Sequence, residues 1–72
     1  MESKRERFVR IAENRTNKII NMIRLLGNCS YKGNYEYTDE DVQKIFAAID
    51  KELKNTKNKF YQNEAEEPKF KL

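Results

Sequence analysis

The chain has 72 residues, 38% of them charged, and a net charge of +3. That length allows one domain at most, and chains of this size bury little core unless disulfides, metals or partner subunits help. A single cysteine and no histidine exclude an internal disulfide and the usual Cys/His zinc sites, so the missing stability is expected from self-association.

The first helix is expected over about residues 4–26. Ser3 followed three residues later by Glu6 matches a capping box, in which hydroxyl and carboxylate serve amides that a helix start leaves unpaired. Gly27 is placed to end this helix in a left-handed conformation. At 100° per residue, Phe8, Val9, Ile11, Ala12, Ile19, Ile20, Met22, Ile23 and Leu26 share an arc of roughly 180°, wider than one partner helix covers. Arg15 falls near the centre of that arc, so the wheel predicts a buried charge that needs a partner, with Glu52 and Asp50 as candidates. The alternatives for Arg15 are a stem that snorkels to the dimer edge and a ligand-binding role.

Opposite the arc lie Arg10, Asn14, Asn17, Asn21 and Arg24, with Arg7 and Lys18 at the edge. Asparagine is a mediocre helix former, and amides flanked by guanidinium groups suit base edges and phosphates. This is a candidate nucleic-acid face, against the plainer reading of a solvated helix surface. From Lys4 to Leu26 seven basic residues stand against two acidic ones, so the positive field is concentrated here.

The connection, residues 27–38, gathers three of the four tyrosines. Gly33-Asn34 is a turn signal, and a small hairpin or compact loop is expected. Tyr31, Tyr35 and Tyr37 can stack on a planar, nucleotide-like ligand, with Lys32 for a phosphate and Asn28, Ser30 and Asn34 for polar contacts. The competing reading has Tyr35 and Tyr37 fold back to plug a bundle end, with Cys29 helping to cover it.

The second helix is expected over about 39–60. Thr38-Asp39-Glu40-Asp41 repeats the capping device with an acidic first turn. Val42, Ile45, Phe46, Ile49, Leu53 and Phe60 occupy only about 100° of the wheel, the width of one seam. Setting Leu26 beside Val42 places Met22 near Phe46, Ile19 near Ile49 and Phe8 near Phe60. The fold class expected is therefore all-α, an antiparallel two-helix hairpin over residues 1–60 that forms a dimeric four-helix bundle or a higher homo-oligomer. Residues 61–72 read as a frayed tail, in which Phe70 and Leu72 are a candidate docking motif.

No catalytic residue, metal site or cofactor is expected. The carboxylates Asp39, Glu40 and Asp41 are explained by capping, and no activating base stands near Cys29. The chain shows no apolar run long enough for a signal peptide or membrane span, and with its lone thiol this points to the cytoplasm.

The stretches from Arg5 to Lys18, Ile23 to Ser30, Asn34 to Thr38 and Lys44 to Phe46 resemble a family of short helical proteins from bacterial genomes, plasmids and phages that carries no assigned activity. The resemblance implies a stand-alone protein, and the mobile-element association fits regulation or interference with a host factor without choosing the target. It carries over no site residue. From the residues themselves, the expected role is non-enzymatic protein binding, with nucleic-acid binding and capture of a nucleotide-like ligand as alternatives.

Overall fold

The computed structural model describes residues 1–65, with side chains through residue 62. Two α-helices make up this part, α1 over Lys4–Asn28 and α2 over Asp39–Ala65, with no strand among the described residues. The chain divides into two units, Met1–Glu36 carrying α1 and a second that starts at Tyr37 and carries α2.

α1 starts where the cap directs it. Ser3 is extended, its hydroxyl accepts from Glu6 N at 3.0 Å, and its carbonyl accepts the first helical bond from Arg7 N at 3.0 Å. The far end differs from the sequence expectation. No residue among those described has a positive φ, and Gly27 lies inside the helix. Cys29, at φ −70° and ψ −6°, leads out in the right-handed sense. Cys29 N, Ser30 N and Tyr31 N donate to the carbonyls of Leu26, Gly27 and Asn28 at 3.0, 3.1 and 3.4 Å. These three tightened bonds serve the terminal carbonyls, so no left-handed glycine is required.

The loop that follows is a compact turn and not a strand hairpin. Asn34 N and Tyr35 N both donate to Tyr31 O at 3.1 Å, a right-handed turn over Lys32 and Gly33. Neither Gly33 nor Asn34 enters the positive-φ region that a two-residue hairpin turn requires. The Tyr31 ring lies over Gly33: a Cβ there would fall 2.7 Å from Tyr31 Cε1 and Cζ, so the exposed ring would have to shift to admit one.

α2 opens on a reciprocal box. Thr38 N donates to Asp41 Oδ2 at 2.9 Å, and Asp41 N donates to Thr38 Oγ1 at 3.1 Å. Asp39, Glu40 and Asp41 set negative charge against the positive end of the helix, and Lys44 pairs with Glu40 one turn on at 3.2 Å. The helix continues to Ala65, five residues beyond the expected end at Phe60, because nothing from Tyr61 to Ala65 breaks it before Pro68. The rest of the expected tail, with Phe70 and Leu72, lies outside the described residues.

Both apolar series lie on unbroken helices, yet none of the described residues is buried. Val9, Ile11, Ala12 and Leu26 in α1, and Val42 and Ile49 in α2, are partly covered. Ile19, Met22, Phe46 and Phe60 expose about half of their surface or more. Arg15 is exposed as well and has no ion pair to another described residue.

Candidate functional site

The polar stripe of α1 is continuous. Arg10, Asn14, Asn17, Asn21 and Arg24 recur at steps of four, three, four and three, which on one uninterrupted helix keeps them within about 80° and spans about 21 Å along the axis. Arg7 and Lys18 lie about 60° and 80° off Arg10. All seven are exposed. Arg10 and Asn14 border two shallow open grooves. One continues past Arg5, Glu6, Val9, Glu13 and Asn17, and the other past Ile11, Arg15 and Lys18. The side chains of Asn14, Asn17 and Asn21 make no hydrogen bond to a described residue, so the amides are available to a ligand.

The head of the stripe is already engaged. Arg10 Nε donates to Glu2 Oε1 at 2.7 Å, and Arg10 Nη2 donates to Glu2 Oε2 at 3.1 Å. Arg7 Nε stands 4.0 Å from Glu2 Oε2. The Glu2 hydrogen bond raises the Arg10 pKa above its usual value, against a smaller opposing effect of desolvation, so the guanidinium stays charged throughout the working range. Next to it, the Arg5 guanidinium lies 5.8 Å from the centre of the Phe8 ring, a cation–π contact that screens part of an otherwise exposed aromatic. Sequence reading missed both contacts. Arg5 and Phe8 stand at the i, i+3 spacing that marks helical neighbours, whereas Glu2 and Arg10 are eight residues apart and carry no periodic signal.

In the loop, Tyr31 and Tyr35 belong to the first unit and are exposed, at 65% and 51%; Tyr37 is the first residue of the second unit and is half-buried. The Tyr31 ring rests against Gly33, at the tip of the turn that Asn34 and Tyr35 close. Lys32, Ser30 and Asn34 are exposed around it, and Asn28 is the last residue of α1.

Among the described residues no cluster of His, Cys, Asp and Glu fits a metal ion, and no helix is long and apolar enough to cross a membrane. Asp41 and Glu40 have their structural partners in Thr38 and Lys44, and Cys29 is an exposed free thiol. Comparison with protein families, curated proteins and solved structures finds no match to this chain.

Proposed function

We propose that the chain is a non-enzymatic association module. In this reading the two helices close into an antiparallel hairpin, and two copies join in a dimeric four-helix bundle, with a higher homo-oligomer as the variant arrangement. The module then binds a protein through the turn at residues 29–38 and the outward part of α1. The uncovered apolar faces carry the proposal. Phe8, Ile19, Met22, Ile23, Ile45, Phe46 and Leu53 each expose about two fifths of their surface or more, at the spacings that place them on one side of each helix. Covering a face like this yields about 25 cal/mol per Å², and a second copy supplies the same face by symmetry.

Arg15 fits the proposal, because its long stem can lie along an apolar seam while the guanidinium reaches the edge or an acidic residue such as Glu52. The lone exposed thiol fits a reducing compartment, the cytoplasm. The family that the chain resembles adds a setting in which a mobile-element protein acts on a host protein. A pull-down from a bacterial host tests the binding role. Specific enrichment of one protein that is lost when residues 29–38 are scrambled supports it. Enrichment that survives scrambling removes the loop from the interface.

A second reading has its own observation. Asn14, Asn17 and Asn21, which have no hydrogen-bond partner among the described residues, lie between Arg10 and Arg24 and favour nucleic-acid binding along α1, on the same helix that carries the positive charge. Affinity for a labelled oligonucleotide should fall steeply with salt, and Arg10→Ala with Arg24→Ala should flatten the slope by about two. A salt-insensitive or absent shift refutes this reading. Capture of a nucleotide-like ligand is the third reading; it has less to draw on, since the Tyr31 ring already rests against Gly33.

A further inference from the structure

The contact between Glu2 and Arg10 shows how the head of the polar stripe takes an anion. One guanidinium edge meets both oxygens of one group, at 2.7 and 3.1 Å, with a second guanidinium 4.0 Å from the oxygen held at 3.1 Å. A planar fork that accepts two oxygens side by side is the arrangement with which arginine takes a phosphate as well as a carboxylate. The site is also easy to open. The side chains of Arg7 and Arg10 are more than three fifths exposed and that of Glu2 about a third, so the pair is weak in water.

Asn14 and Asn17 continue the same face immediately beyond Arg10 and have no side-chain partner among the described residues. A ligand that covers those amides therefore meets Arg10 with its charge already satisfied. We infer that Arg10, with Arg7 beside it, is the anchoring position for one phosphodiester group of a nucleic acid. Glu2 holds that position in cis, and binding exchanges its carboxylate for the phosphate. This rests on the second reading given above and adds to it a regulatory element, an internal competitor that lowers affinity by the strength of one exposed ion pair.

The test uses the full chain and four proteins: wild type, Glu2→Gln, Arg10→Gln and the double variant. Fluorescence anisotropy at ~50 mM salt, where phosphate contacts count most, follows binding to a labelled DNA duplex and separately to a labelled single-stranded RNA. Glu2→Gln is expected to tighten binding about two- to fivefold. In the Arg10→Gln background the same change is expected to do nothing. The nucleic acid that shows this pattern identifies the source of the phosphodiester.

Equal affinities for wild type and Glu2→Gln, with binding intact, overturn the inference and leave the stripe reading standing. A gain that persists without Arg10 also overturns it, because the effect is then the loss of one negative charge. If neither wild type nor Glu2→Gln binds either nucleic acid while circular dichroism shows both helical, the stripe reading falls and the inference with it. Binding of polyglutamate in place of nucleic acid, tightened by Glu2→Gln, assigns the position to a carboxylate and overturns the phosphate.

Discussion

Replacing Ile19 by Lys separates helix formation from the covering of helices. Ile19 sits mid-way along α1 within its apolar arc and exposes 52% of its surface, so about half of its burial is still to be gained on association. Full burial of an isoleucine is worth about 1.5–3 kcal/mol, which leaves about 1 kcal/mol per chain and about 2 kcal/mol per dimer to be lost. The ammonium group must also snorkel to the edge or lose hydration, so this is a lower bound. Two kcal/mol weakens dimerisation about thirtyfold. Lysine is the better helix former, so α1 itself is not weakened by the change.

Sedimentation velocity over a concentration series, with Asn17→Lys as the equal-charge control on the polar stripe, measures the effect. The Ile19→Lys series should shift to monomer at concentrations where wild type and Asn17→Lys remain associated. An unchanged distribution, or an equal shift in both variants, refutes the claim that this face meets a second copy.

Gly27→Ala should stabilise the chain by about 0.5–1 kcal/mol in urea unfolding, because Gly27 is helical, its φ is not positive and an added Cβ meets nothing within 4 Å. Destabilisation of similar size would restore the left-handed cap. Thr38→Ala should cost about 1 kcal/mol at matched chain concentration, since Asp41 N loses its 3.1 Å acceptor. A loss below about 0.5 kcal/mol, ordinary for a surface substitution, would show that the box is not maintained in solution. Gly33→Ala should push the Tyr31 ring off the turn, seen as loss of nuclear Overhauser contacts between that ring and residue 33. If those contacts persist in the variant, the ring position is set by something other than the missing Cβ.

Both helix starts were legible in the sequence because caps are local chemistry. Ser3 and Thr38 each place an oxygen three residues from the amide it serves, and no distant residue has to be known. The helix ends were read less well. A glycine after an apolar run signals a left-handed cap, but at Gly27 successive short-range bonds carry the chain out in the right-handed sense. At the other end the apolar arc thins after Phe60, but thinning of one face does not end a helix, and Tyr61 to Ala65 contain no breaker.

The polar stripe followed directly from periodicity, since an unbroken helix obeys the wheel. Its engagement by Glu2 did not, because a residue ahead of the cap reaching two turns along the helix leaves no spacing signal. The wheel sets Arg15 within the apolar arc, but what covers that arc is a property of the neighbour, which periodicity does not carry.

Native mass spectrometry of the unaltered chain at micromolar concentration, with sedimentation equilibrium on the same sample, decides whether the chain self-associates. A helical species of twice the 8.7 kDa chain mass, or a higher multiple, is expected. A stable, cooperatively folded monomer at that concentration would contradict it, because the apolar faces of α1 and α2 would then need no second copy.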